Sequence, residues 1–254
     1  MIDIHCHILP SMDDGAVNLE ESIAMAKLAL NEGIRTIIAT PHHKNGVYEN
    51  TKQTIIDKVE ELNEILKQEA IPVEILPGQE TRIYGDLLED FEKDEIMTLN
   101  GSQYLFVELP SSHVPRYTEQ LLFDIQMKGI SPIIVHPERN QEFVERPEKL
   151  YQLVKKGALT QVTASSIAGY FGKNIKKFSL QLIDANLTHF VSSDAHNLSR
   201  RSFKMKEAFD VIEKRYGVDM AYQLIENSEL LVKGLSVYTD LPERVKKRKF
   251  LGVF

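Results

Sequence analysis

About seven times along this chain, a short run of β-branched and other apolar residues leads into a polar cluster and then into a stretch with helical periodicity. The runs cover residues 2–6, 35–40, 73–76, 104–107, 131–135, 159–162 and 188–191. Strands separated by helices cannot pair as hairpins and need crossover connections, so the pattern predicts parallel β/α units. No repeat, linker or low-complexity segment interrupts it, and one domain over residues 1–254 is expected. Seven units suit a barrel-like sheet with its helices outside, with an open doubly wound sheet as the alternative.

The helices carry their own boundaries. Asn18 reads as an N-cap with Glu21 at the N3 position, followed by Leu19, Ile23, Ala26 and Leu30 at helical spacing and Gly33 as the stop. Ile55, Val59, Leu62 and Leu66 form the stripe of a second helix. Residues 81–100 read as a short helix and loops. Further helices are predicted over 118–128, closed by Gly129, and from Pro147 to Gly157, with Leu150, Leu153 and Val154 inward. Ile175, Phe178 and Leu182 mark another, and two more fall near 202–215 and 219–225. Leu230, Leu231 and Val232 read as a final short strand or extended segment.

The first strand is unusual. Ile2, Ile4 and Cys6 alternate with Asp3, His5 and His7, so two-residue periodicity puts both imidazoles on one face above Asp3 and the apolar residues on the other. Parallel imidazoles at a strand end are good divalent-metal donors, although two buried, hydrogen-bonded histidines would give the same pattern. The other strands weigh on the choice. His42, Glu80, Glu108, His136, and Asp194 with His196 each stand just past an apolar run, and Asp13 or Asp14 follows from the first loop. In a parallel β/α fold those positions share one face, where active sites are built. So many would-be charges in one small volume are costly through burial and repulsion without a cation, and carboxylates bridging several ions resolve that cost. Cys6 is expected in the core, and His43 and His189 as structural residues; His113 is left open. Arg139, and Arg200 or Arg201, stand close enough to these residues to bind an anion such as phosphate.

Composition narrows the class. Apolar residues make up 43% and charged residues 26%, as in ordinary soluble proteins, and no apolar run approaches a membrane span. The single cysteine precludes an internal disulfide and fits a reducing compartment, so a cytoplasmic location is expected. A net charge of −7 argues against nucleic-acid binding. The charge is uneven: Arg244, Lys246, Lys247, Arg248 and Lys249 stand against Glu243 near the C-terminus. That tail reads as a solvated chain end, or as a peripheral docking strip for an acidic partner or membrane surface. Phe250, Leu251, Val253 and Phe254 beyond it would need something to pack against.

His5-Cys6-His7, Thr40-Pro41-His42, Glu80, His136-Pro137-Glu138-Arg139 and Ser193-Asp194-Ala195-His196 together resemble the polymerase-and-histidinol-phosphatase (PHP) superfamily, nearly end to end. Asp13-Asp14-Gly15 and the run from His136 to Asn140 resemble its bacterial tyrosine-phosphatase branch, of the CpsB/YwqE type, linked to capsule and exopolysaccharide synthesis. The resemblance implies a distorted (β/α)7 TIM-like barrel with three divalent ions, manganese first and Fe, Zn, Mg or Co as alternatives. It implies one ion on His5, His7, Glu80 and Asp194, a second on Glu80, Glu108 and His136, and a third on His42, His196 and Asp14. Many superfamily members carry histidine where this chain has its loop aspartate and Glu108. Arg139, Arg201 and His136 would act on the phosphate, with metal-bound hydroxide attacking phosphorus. The implied substrate is phosphotyrosine on an autophosphorylated bacterial kinase and other proteins. Rival readings are a phosphatase of histidinol phosphate or another small phosphomonoester, and a non-catalytic phosphotyrosine-binding regulator.

Overall fold

A computed structural model describes residues 1–246 of the chain. In order, the elements are β1 (Ile2–Cys6), α1 (Leu19–Asn31), β2 (Thr36–Ala39), β3 (His42–His43), α2 (Lys52–Gln68), β4 (Glu74–Pro77), β5 (Glu80–Arg82) and α3 (Leu87–Glu92). They continue as β6 (Tyr104–Glu108), α4 (Thr118–Met127), β7 (Ser131–Val135), α5 (Gln141–Glu145), α6 (Pro147–Lys155), β8 (Leu159–Thr163), α7 (Ala164–Ala168) and α8 (Lys173–Asp184). β9 (Phe190–Ser192), α9 (Met205–Tyr216) and α10 (Val218–Val232) complete the series. Leu230, Leu231 and Val232 are thus the last turn of α10 and not a strand; Leu231 is buried and continues that helix's inner stripe. Of the basic tail, Lys247, Arg248, Lys249, Phe250, Leu251, Val253 and Phe254 lie outside the described residues.

All strand pairs are parallel, in the orders β1-β2-β4 and β3-β5-β6-β7-β8-β9. The two sheets are one ring whose second and third staves are broken. β2 runs into β3 across Pro41, which has no N–H to continue the ladder. β4 runs into β5 across Gly78, where a Cβ would lie 2.6 Å from Ile38. The breaks re-aim both staves together, so His42 comes into register with Glu80. A parallel bridge from Cys6 to Ala195 joins the first stave to the last, with His7 N–H donating to the Ala195 carbonyl (2.9 Å) and Asp194 N–H to that of His5 (2.9 Å). The result is the expected distorted barrel.

Two apolar layers hold it. Ile4, Ile38, Phe106, Ile133, Val135 and Phe190 fill the inside of the ring, while Ile37, Ala39, Leu105, Val107, Ile134 and Val162 pack outward against the helices. Full burial stabilises each large aliphatic side chain by about 1.5–3 kcal/mol. The helix signals are largely realised: the Asn18 side chain accepts from Glu21 N–H, and the stripe of α2 is Ile55, Val59, Leu62 and Leu66. On α1 the buried stripe is instead Ser22, Met25, Ala26 and Ala29, with Leu19, Ile23 and Leu30 at its margins. Small residues at the centre let the helix lie close to the sheet.

The strict alternation predicted for β1 also fails. Asp3 pairs with Ile37 but Cys6 with Ala39, so one extra residue is inserted between them. Ile4 therefore faces inward beside Phe106, and the His5 ring also meets Phe106, at 4.9 Å. Asp3 lies outside the histidine cluster: its carboxylate accepts from Ser193 N–H and Oγ. Cys6 packs in the outer layer, as expected. Among the described residues, no helix is long and apolar enough to cross a membrane.

Candidate metal centre

The strand ends deliver the donors to one mouth of the barrel. β1 brings His5 and His7, β3 brings His42, β5 brings Glu80 and β6 ends on Glu108. His136 follows β7 and Asp194 follows β9, both with left-handed backbones (φ 36° and 52°). Such conformations cost a non-glycine residue of order 1 kcal/mol and are typical of residues aimed at a site.

Around Glu80 Oε2, the Nε2 atoms of His5 and His7 lie at 3.4 and 3.3 Å, and Asp194 Oδ1 is 3.5 and 3.4 Å from the same two nitrogens. Donors bound at about 2.1 Å to one ion stand roughly 3–3.5 Å apart, so this spacing is that of a coordination shell. On the other side, Glu80 Oε1 meets His136 Nε2 at 2.8 Å, and His42 Nδ1 lies 2.9 Å from Glu80 Oε2 and 3.6 Å from Glu108 Oε2. Asp14 Oδ1 is 3.4 Å from His42 Nε2 and 3.5 Å from His196 Nε2.

Three donor groups converge: His5, His7 and Glu80; His42, Glu80 and Glu108; and His7, Asp14, His42 and His196. All nine sequence-predicted ligands are brought to this mouth. The sharing differs from the implied sets in that His42 also faces Glu80 and Glu108, and His7 also faces the Asp14 group. The donor atoms fit divalent cations. His42 Nδ1, Glu80 Oε2 and Glu108 Oε2 are buried without a hydrogen-bond partner while facing one another, and His196 Nε2 is buried without one beside Asp14; cations in the two groups would satisfy them.

Outer partners aim the rings. His5 Nδ1 is held by Gln161 Oε1 (2.9 Å), His7 Nδ1 by Asp13 Oδ2 (2.6 Å), and His196 Nδ1 donates to the Asp194 carbonyl (2.9 Å). Each contact leaves Nε2 pointing inward. The two loop aspartates thus divide their work: Asp13 also accepts from the N–H groups of His42 and Gly15, while Asp14 faces the open donors.

Charge follows from the surroundings. Burial opposes ionisation of Glu80, but the imidazoles of His42 and His5 hold its carboxyl well below the usual range. Arg139 and His5 do the same for the buried Asp194. Burial and the neighbouring Glu80 push Glu108 up to about 7. Burial, with Arg139 in one case and His7 in the other, lowers His136 and His196 to about 4, so both are neutral at pH 7, the form that binds metal.

Two guanidinium groups flank the carboxylates. Arg139 Nη2 donates to Asp194 Oδ2 (2.5 Å), with its guanidinium 5.5 Å from the Phe171 ring. Arg201 reaches Asp194 (3.3 Å) and Asp14 (3.2 Å), whereas Arg200 is exposed. A cavity of about 270 Å³ opens over His42, Glu108, His136, Arg139 and Arg201. Arg82 lines it too, donating to Glu108 Oε1 (3.0 Å) and to the Leu109 carbonyl (3.2 Å). Sequence reading missed Arg82 and Gln161. The first stands two residues past Glu80, and the second is a polar residue inside an apolar run. His43 and His189 are buried and away from the donor groups, as expected, and His113 is exposed on its loop beside Ser112.

A seven-stave β/α barrel with clustered metal-donor groups and paired arginines at its mouth defines a metal-dependent hydrolase class of fold and site. Residues 1–233 match the CpsB/CapC family of capsular polysaccharide synthesis, and the chain belongs to that family. It is 52% identical to tyrosine-protein phosphatase YwqE of Bacillus subtilis over 254 residues, all of both chains. It is 34% identical to tyrosine-protein phosphatase CpsB of Streptococcus pneumoniae over 238 residues, 91% of this chain and 98% of that one. A solved structure from work on those two proteins, described there as metal-dependent tyrosine phosphatases, superposes with a TM-score of 0.96 at 52% identity. The match covers 97% of this chain and all of the other.

Proposed function

We propose that this chain is a metal-dependent protein-tyrosine phosphatase, acting as one unit in the cytoplasm on a tyrosine-phosphorylated bacterial kinase and its substrates in capsule or exopolysaccharide synthesis. The observation that carries the reading is three donor groups linked through Glu80, His7 and His42 beneath Arg139 and Arg201. The phosphatase names of relatives with full-length similarity support it.

Three divalent ions, manganese first among them, would be held in the sets that the resemblance implies: His5, His7, Glu80 and Asp194; Glu80, Glu108 and His136; His42, His196 and Asp14. Bound, they supply Lewis acidity and bring the pKa of water from about 15.7 towards 7. The protein's own share is positioning. Arg139 and Arg201 are aligned on Asp194 and present guanidinium hydrogens to the cavity, where phosphate oxygens accept them and their negative charge is neutralised. His136, neutral at pH 7, serves as a donor to metal and not as an acid. A phenolate leaving group, with a pKa of about 10, needs less protonation than an alkoxide. Cys6 is buried, and burial raises its thiol well above the ordinary value, so it is no nucleophile.

The test is phosphate release from tyrosine-, serine- and histidinol-phosphate substrates, with and without added manganese. Phosphotyrosine should be hydrolysed fastest, chelation should abolish turnover, and His136→Ala and Asp194→Ala should each lower kcat by at least about 100-fold. Faster release from histidinol phosphate, or tight phosphopeptide binding without release, overturns the reading.

A further inference from the structure

A second cavity, of about 630 Å³, lies on the outer wall of the barrel. One side is a stripe of α8 carrying Lys173, Lys176, Lys177 and Asp184; the other carries Arg215 at the end of α9, with Arg244 and Lys246 from the C-terminal stretch. Six cations and one carboxylate thus line a groove on a protein whose net charge is −7. Arg215 is paired with Asp184 (3.0 Å), Arg244 with Glu148 (2.9 Å) and Lys246 with Glu243 (3.7 Å), and Lys176 donates to the Ala168 carbonyl (3.1 Å). Lys173 and Lys177 are exposed and have no ion-pair partner among the described residues. Concentrating like charge in a concave surface raises the local potential and favours an anionic occupant.

The groove begins beside the candidate metal centre. α8 starts two residues after Phe171, whose ring lies against the Arg139 guanidinium, and α8 packs against the Pro137–Arg139 turn. From there α8 runs down the barrel wall for 12 residues, about 18 Å, a length that five or six residues of extended chain would span. A groove suits a polypeptide, whereas a bilayer surface is planar and reaches only its rim.

We infer that this groove receives an acidic segment flanking the phosphotyrosine of the protein substrate. The inference rests on the phosphatase reading above. Long-range attraction between the acidic flank and the groove's surplus positive charge, with Lys173 and Lys177 foremost, would select protein substrates against small aryl phosphates, chiefly by lowering KM.

The experiment uses the full-length, metal-loaded protein and its Lys173→Glu/Lys177→Glu variant. Two phosphotyrosine peptides are compared, with acidic or neutral residues on both flanks, alongside p-nitrophenyl phosphate. The parent protein should show a KM about tenfold lower for the acidic peptide at low salt, and the difference should shrink at about 0.5 M salt. The double variant should lose that preference while keeping its kcat on p-nitrophenyl phosphate; Lys173→Gln/Lys177→Gln should fall between. Equal KM values in the parent, or a preference that survives charge reversal, overturn the inference. Fluorescence anisotropy with an acidic peptide lacking phosphotyrosine reads the groove without hydrolysis. Binding that charge reversal abolishes supports the groove even if no substrate is turned over. Lysine-dependent sedimentation with phosphatidylglycerol vesicles, without peptide binding, assigns the surface to a membrane and overturns it.

Discussion

Arg82 shows how a single residue can govern a site by fixing a candidate ligand. Its guanidinium fork holds Glu108 Oε1 and the Leu109 carbonyl, leaving Glu108 Oε2 turned towards His42. Arg82→Met should therefore leave Glu108 poorly aimed and raise the metal concentration giving half-maximal activity by roughly 10–100-fold, with kcat at saturating metal changed much less. Lysine should restore only part, because it offers a point charge in place of the fork. A metal titration of activity reads this, and an unchanged midpoint would refute the role. The candidate ligands, Asp14 of the first loop apart, were legible in the sequence because they stand at or just past the ends of apolar runs. Arg82 and Gln161 were not, because their work is defined by partners on neighbouring strands, Glu108 on β6 and His5 on β1.

At the scale of elements, the mouth depends on places where regular structure stops. The alternation of strands with helices, and most helix positions, could be read from periodicity and caps. The extra residue in β1 could not, because period-two alternation carries no sign of an inserted residue until the partner strand is known. Leu230–Val232 was ambiguous because three apolar residues suit a strand or the end of a helical stripe. The first loop offers a direct test. A Cβ at Gly15 would lie 2.1 Å from the His7 carbonyl oxygen and 2.5 Å from His7 Cβ, both parts of a buried strand end. Gly15→Ala must displace the turn carrying Asp13 and Asp14, and should lower stability by about 2 kcal/mol or more. Denaturant unfolding with parallel metal analysis would check it; full stability and full metal content would contradict the packing.

Across the whole molecule, the end of the barrel opposite the metal centre is held by neutral polar contacts. His189 is buried there, its Nδ1 accepting from Thr160 N–H and its carbonyl accepting from Asn227. Burial lowers its pKa to about 4 from the ordinary 6.5. The unfolded chain therefore binds a proton that the folded one resists, so the stability His189 contributes is intact above about pH 6.5 and is lost as pH falls towards 4. His189→Gln should remove about 2 kcal/mol of the stability difference between pH 7 and pH 4.5. Urea denaturation at the two pH values, compared between variant and parent, measures it.

Each pair of donor groups at the mouth has one member in common, and Glu80 is the carboxylate among them. Its two oxygens face opposite neighbours, His5 and His7 on one side and His136 on the other. Glu80 is therefore a keystone. Replacing it with glutamine should strip more than one equivalent of metal from the purified protein, whereas Asp14→Asn, at the rim, should strip no more than one. Elemental analysis of the two variants would show whether the ions load as a linked set or as independent tenants.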